Sequence, residues 1–257
     1  MVGNVTIRPA QRADIPTLAH IANAANAKSI LHRRIAPYQV QYPIDYYQWR
    51  LKIIRERFAQ PDLRTIVAED PSTGEILGSG AWLVEGSDTA LYKRWVGEST
   101  WANWLESRLV WVERKWCRYI TDRSIDYEFL NNFMAAIVRS GRSARPACLH
   151  CHLIVVNPAI QSRGVGRMII NWAMELAVRE DLPIYLEANL EATGFYEKLG
   201  FSKLSKDVIV HATGQGTFHI PAYVWEGEDR KGRWLERDAS FDGTEERWNW
   251  KDDVLSK

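Results

Sequence analysis

Apolar and polar residues alternate over Val5-Thr6-Ile7-Arg8-Pro9-Ala10, which predicts a short strand ended by Pro9. Asp14 then stands before Ile15-Pro16, a capped helix start with proline in the first turn, and Ile15, Leu18, Ala19, Ile21 and Ala22 recur at helical spacing. Between Asn26 and Gln60 tyrosines crowd the chain; Pro37 and Pro43 predict a loop, and residues 46–58 have a helical period. Apolar runs at 65–69 and 76–82 flank the turn cluster Asp70-Pro71-Ser72-Thr73-Gly74 and predict a β-hairpin. Gly78 and Gly80 in its second strand predict close approach of another backbone. Residues 86–145 carry two further helical periods, through Trp101, Trp104, Leu105, Val112 and Trp116 and through Ile125, Phe129, Phe133 and Ile137. An apolar strand at 149–156 is broken by Asn157-Pro158. A helix follows at 164–180, with Val165, Met168, Ile169, Trp172, Leu176 and Ala177 on one stripe, then a strand at 183–188. Val208-Ile209-Val210 and Ala222-Tyr223-Val224-Trp225, around Gly214-Gln215-Gly216, predict closing strands. The tail 227–257 turns polar and is studded with Trp234, Phe241, Trp248 and Trp250, whose packing back on the domain would order it in part.

Composition narrows the possible partners. The 257 residues suffice for one large domain, and 33 basic against 32 acidic residues leave a net charge of +1. That balance offers no footprint for nucleic acid and no polybasic membrane segment, so the expected partner is a small molecule. The first residues lack a basic region followed by an apolar one, and no run approaches 18 apolar residues, which predicts a soluble, cytoplasmic protein without membrane contact. Cys117, Cys148 and Cys151 are an odd number in a long chain and read as reduced thiols. Of twelve tryptophans, Trp101, Trp104, Trp111 and Trp116 have the spacing of a buried helix face and are expected in the core.

The chemistry centres on Gln161-Ser162-Arg163-Gly164-Val165-Gly166-Arg167, between a strand and a helix. A helix start exposes unpaired N–H groups and the positive end of the macrodipole, and glycines let a bulky anion reach that backbone, so a pyrophosphate is the natural guest. The spellings of a P-loop and of a dinucleotide-binding loop are both absent. Gln161, Gly164 and Gly166 resemble the acyl-CoA signature Gln/Arg-x-x-Gly-x-Gly/Ala of the GCN5-related N-acetyltransferases. Further on, Asn189, Ala192, Tyr196, Gly200 and Phe201 fill that family's second signature, Asn-x-x-Ala-x-x-x-Tyr-x-x-x-Gly-Phe, at every specified position. The resemblance covers about 5–80 and 149–225. It implies an α/β (α+β) fold with a mixed, mostly antiparallel central sheet, splayed middle strands and flanking helices. The domain would span residues 1–226, interrupted by a helical insertion at about 86–145 near the acceptor site. It further implies acetyl-CoA as co-substrate, without a metal, and direct transfer to an amine.

An amine must lose a proton, an oxyanion needs a donor and the leaving thiolate needs a proton. By the resemblance Tyr196 is the acid facing the sulfur, Asn189 contacts the pantetheine, and Val155 and Val156 lend backbone groups to the same arm. Ser162, Arg163, Val165 and Arg167 complete the cofactor loop. His150 and His152, two apart on a strand, point to one face. They fall where the aralkylamine (serotonin) N-acetyltransferases, which the motif resembles, carry a proton-relaying His-x-His pair. Two other readings remain: structural histidines, and Glu187 on the next strand as base. Cys148-Leu149-His150-Cys151-His152 also spells a c-type haem attachment motif, but it sits on a strand of an intracellular domain. Zinc is disfavoured because Cys148 and Cys151 would face opposite ways. The basic segment 139–146 reads as a solvated loop or as a contact for the nucleotide's phosphates. The resulting expectation is an acetyl-CoA-dependent N-acetyltransferase of a small primary amine, monomeric or homodimeric. The alternatives are a protein or peptide N-acetyltransferase and a CoA-binding regulatory module without turnover.

Overall fold

The computed structural model describes residues 5–97, 100–140, 145–212, 216–241 and 245–255. The expectations for residues 141–144, Gly214 and Gln215 lie outside them. The strands are β1 (Thr6–Pro9), β2 (Leu63–Asp70), β3 (Glu75–Glu85), β4 (Cys148–Val156), β5 (Ile184–Glu187), β6 (Ser202–Lys203), β7 (Val208–Ala212), β8 (Gly216–Ile220), β9 (Ala222–Trp225), β10 (Leu235–Arg237) and β11 (Trp248–Trp250). The helices are α1 (Ile15–Asn26), α2 (Ile30–Ile35), α3 (Pro43–Ala59), α4 (Ala90–Trp95), α5 (Trp101–Trp116), α6 (Tyr127–Arg139), α7 (Val165–Glu180), α8 (Thr193–Glu197) and α9 (Asp252–Leu255). Seven strands hydrogen-bond in the order β1-β2-β3-β4-β5-β9-β6, while β7 with β8 and β10 with β11 form separate ribbons. β4 and β5 pair in parallel; β1 with β2, β2 with β3, β5 with β9 and β6 with β9 are antiparallel. The sheet is therefore mixed and mostly antiparallel. The parallel ladder runs from Leu149↔Ile184 to Cys151↔Leu186 and ends there, although β4 continues to Val156.

The chain forms two compact units, the first of Met1–Leu83, Lys93–Tyr127 and His152–Trp172, the second of Val84–Tyr92, Glu128–Cys151 and Ala173–Lys257. In the first, the α1 stripe Ile15, Leu18, Ala19, Ile21 and Ala22 packs with Ile54, Val67, Ile76 and Val155. Glycine is required on β3: a Cβ at Gly78 would stand 2.7 Å from the Val155 carbonyl oxygen, and one at Gly80 would stand 2.8 Å from Ile169. In the second unit Cys148, Tyr185, Leu204, Ala222, Val224 and Leu235 form a core against which Trp248 and Trp250 of the tail pack.

Three local expectations are corrected. Asp14 precedes α1 but makes no side-chain cap; it accepts from the Gln11 N–H at 2.7 Å and from Arg8 at 2.8 Å, closing the turn before the helix. Pro43 is no loop residue but opens α3, where its missing N–H costs nothing. The tryptophans of α5 are not core: Trp101, Trp104, Trp111 and Trp116 are 78%, 58%, 57% and 59% exposed. α5 buries Val110 alone and turns its charged side toward α3, where Arg55 meets Glu106 at 2.9 Å and Glu113 at 2.6 Å and Arg114 pairs with Glu56. Spacing marks an apolar face, but the direction that face takes depends on what lies beside it.

Candidate active site

In the first unit the end of β4 leads into the loop singled out by sequence. The Asn157 N–H donates to the Leu77 carbonyl at 2.9 Å, and its side chain accepts from the Ala159 N–H at 3.1 Å, capping a single turn over Pro158–Ile160. The Gln161 side-chain amide donates back to the Val156 carbonyl at 3.2 Å, so Gln161 buttresses the loop. Ser162 and Gly164 adopt φ of 64° and 93°, and α7 begins at Val165, with the Met168 N–H on the Gly164 carbonyl at 3.0 Å. The reversed backbone aims the first N–H groups of α7 out of the helix, where no carbonyl of the helix can meet them. Nothing lies within 4 Å of a Cβ built on Gly164. Gln161, Ser162, Arg163 and Arg167 are exposed, Gly166 is half-buried and Val165 is buried beneath them. Donors, positive dipole and open space fit the diphosphate of a CoA thioester.

The second unit holds a buried ionic cluster. His150 on β4 stands opposite Tyr185 on β5, with ring centroids 5.0 Å apart. Its Nδ1 lies 2.8 Å from Glu85 Oε1 and its Nε2 lies 2.8 Å from Glu187 Oε2. Arg145 reaches the same carboxylates, at 3.0 Å to Glu85 and 3.4 Å to Glu187, with its guanidinium 4.0 Å from the Tyr185 ring centroid. The Tyr185 hydroxyl donates to Glu187 at 2.9 Å, and the Cys148 thiol lies 3.8 Å from Glu85. The side chains of Arg145 and His150 are 3% and 4% exposed.

Both ring nitrogens of His150 face carboxylates, which only the imidazolium satisfies with two donors. Burial lowers its pKa, but the hydrogen bonds and charges of Glu187 and Glu85 outweigh burial and raise it above the usual 6.5. Burial raises Glu187, yet His150, Arg145 and Tyr185 hold it down to about 2. Glu85 is likewise lowered by His150 and Arg145 against burial, and burial beside Glu85 pushes the Cys148 thiol well above 9.0. Two carboxylates and two cations balance, so the cluster is neutral overall. His152, two residues on, is exposed. The segment 139–146, expected to be solvated or to meet phosphates, contributes at Arg145 a buried cation instead.

Tyr196 belongs to α8 and is 8% exposed. Its ring packs on Phe195, Phe201 and Tyr223 at centroid distances of 5.2, 5.5 and 6.3 Å. Burial, then the neighbouring Cys151, push its pKa far above 10.0, which keeps the phenol protonated. Asn189 ends the segment after β5 half-buried, with no capping bond from its side chain. Sequence reasoning named His150 and Glu187 as rival bases, and the structure joins them as an ion pair. It missed Glu85, Arg145 and Tyr185. One signal was available, for Tyr185, which shares a strand face with Glu187.

A family model described as Acetyltransferase (GNAT) family matches residues 28–201. The chain is 39% identical over 54 residues to the protein named Probable acyltransferase SID5 of Ajellomyces capsulatus, a match that spans 21% of this chain and 40% of that one. It is 24% identical over 178 residues to an uncharacterized N-acetyltransferase of Schizosaccharomyces pombe, covering 68% of this chain and 74% of the relative. Among solved structures, the Corynebacterium glutamicum protein described as histone acetyltransferase HPA2 and related acetyltransferase shares the fold, with a TM-score of 0.50 at 17% identity over 86% of this chain and 94% of that one. With the model spanning most of the chain, and a mixed sheet that leads from β4 into a glycine turn and a helix start, the protein belongs to the GNAT family of acetyltransferases.

Proposed function

We propose that the protein transfers an acetyl group from acetyl-CoA directly to a primary amine of a small molecule. The observation that carries this reading is the turn at Gly164, whose φ of 93° and unobstructed space present the start of α7 to an anion. When bound, acetyl-CoA supplies the activated thioester. The exposed loop from Gln161 to Arg167 binds the diphosphate, Val155, Val156 and Asn189 hold the pantetheine arm, and Arg163 and Arg167 add positive charge.

The acceptor nitrogen needs a free lone pair to form the new C–N bond, and the C–S bond breaks as the tetrahedral adduct collapses. Of the two histidines, we assign the amine's proton to His152, because His150 already carries one between two carboxylates. Glu187, paired and strongly acidic, acts as counter-ion rather than base. Tyr196 hands its phenolic proton to the leaving thiolate and regains one from the cationic nitrogen as the adduct collapses, while His152 releases its proton to solvent. The His-x-His pair thus works asymmetrically: His150 fixes the strand and His152 moves the proton.

The test is release of free CoA on mixing the protein with acetyl-CoA and a panel of arylalkylamines, polyamines, amino sugars and basic peptides. Turnover of a small amine is expected. Turnover of peptides alone would replace this reading with protein acetylation, and binding without turnover would replace it with a regulatory module.

A further inference from the structure

The helix α5 is folded with its polar side inward. Advancing about 100° per residue, Glu106, Val110, Glu113 and Arg114 fall on the side turned to α3, where the acids are consumed by Arg55 and Arg114 by Glu56. Trp101, Trp104, Leu105, Leu109, Trp111, Val112 and Trp116 spread over the opposite half of the circumference, each between 41% and 78% exposed. The chain continues for one wide helical turn over Cys117–Thr121, adding Tyr119 and Ile120 at 71% and 61%. An apolar face of this extent on a water-facing helix requires a cover.

Charge says which cover. Arg108 lies over the Trp104 ring at 5.7 Å and Lys115 over the Trp111 ring at 5.7 Å, both on the exposed side and both without an acidic partner among the described residues. The acids of α5, Glu106 and Glu113, are on the other side. A second copy docked through this face about a two-fold axis would set these cations against their own kind. The face carries aromatic rings along its whole length and cationic heads that can rise past them. That form suits a fluid boundary that closes around the side chains, and tryptophan beside lysine and arginine is the composition of helices lying in the bilayer interface.

We propose that α5 docks the protein on an anionic phospholipid surface, with its tryptophans at the headgroup boundary and Arg108 and Lys115 against lipid phosphates. Composition alone predicted no membrane contact, since the net charge is close to zero and no helix among the described residues is long and apolar enough to cross a membrane. Peripheral docking needs neither a spanning helix nor a basic whole; it needs a local face, which only the fold reveals. The inference is independent of the proposed reaction.

The test is sedimentation of the full chain with vesicles of phosphatidylcholine alone and of phosphatidylcholine with phosphatidylserine at roughly 2:1. Wild type is expected to partition to the anionic vesicles, with brominated lipid quenching its tryptophan fluorescence. Trp104→Ser with Trp111→Ser should lower partitioning roughly tenfold or more, as should Arg108→Glu with Lys115→Glu, and these exposed positions leave the fold and its circular dichroism intact. Absence of binding to anionic vesicles overturns the proposal. So does binding that both double variants retain, binding indifferent to phosphatidylserine, or a wild-type dimer in sedimentation velocity that the tryptophan substitutions disperse.

Discussion

Replacing Glu187 by glutamine keeps the shape of the side chain and removes one of two negative charges from a site where Arg145 and His150 are almost fully buried. With both cations still charged, only Glu85 would remain to balance them. Removing one partner of a buried ion pair costs about 3 to 5 kcal/mol, and for a chain of this size that is a fall in midpoint of about 6 to 20 °C. The site has one escape, which is to release the proton of His150, and that makes the cost depend on pH. His150 is raised in the folded protein, so its contribution is fully present below the unfolded value of 6.5 and fades as pH rises through the folded one. Glu187 is depressed, so its contribution is present above its ordinary 4.5 and is lost as pH falls toward about 2. The stability gap between wild type and Glu187→Gln should therefore be widest between about pH 4.5 and 6.5 and should narrow in alkali. Urea unfolding of both proteins at about pH 5.5 and about pH 8.5 reads the gap directly. A gap below about 1 kcal/mol at the lower pH, or one that widens in alkali, would refute the imidazolium between two carboxylates.

Gly164→Val forces a branched side chain into a left-handed conformation that costs about 1 to 2 kcal/mol and fills the space over the start of α7. Calorimetric affinity for acetyl-CoA should fall at least about tenfold, against a loss of only a few degrees in Tm. Tyr196→Phe should leave acetyl-CoA affinity unchanged and lower kcat by about 2 to 4 kcal/mol in the transition state; turnover within about twofold of wild type removes the acid from the mechanism. His152→Gln should abolish the acidic limb of kcat/KM against pH while Tm holds, whereas His150→Gln should lower Tm and leave the limb in place.

Much of the fold was legible because each element carried its own signal: the α1 stripe is buried as its spacing predicts, and the β2–β3 hairpin follows its turn cluster. The glycines of β3 also announced a close approach that the 2.7 Å separation at Gly78 makes specific. Direction was not legible. The tryptophans of α5 have the same period whether they face a core or water, and the deciding fact, that α3 offers Arg55 and Glu56 rather than apolar side chains, lies some fifty residues earlier in the chain. The ionic cluster was illegible for the same reason, since Glu85, Arg145 and His150 are 65 residues apart at the extremes and meet only through the pairing of strands.

The two histidines of β4 show how far a local motif can carry an argument about mechanism. Alternation places His150 and His152 on one face of the strand, and from that alone they are equivalent candidates for one proton. The parallel ladder with β5 ends at Cys151, so His150 lies within the paired stretch, opposite Tyr185, and His152 lies just past it. Inside the ladder a histidine meets Glu187 from the neighbouring strand and Glu85 from the end of β3, and is held as a cation. Beyond it the same side chain is exposed. Under the proposed mechanism, one residue type, two positions apart, takes opposite duties by where a strand pairing stops, and a His-x-His spelling conveys the pair without conveying which member would move the proton.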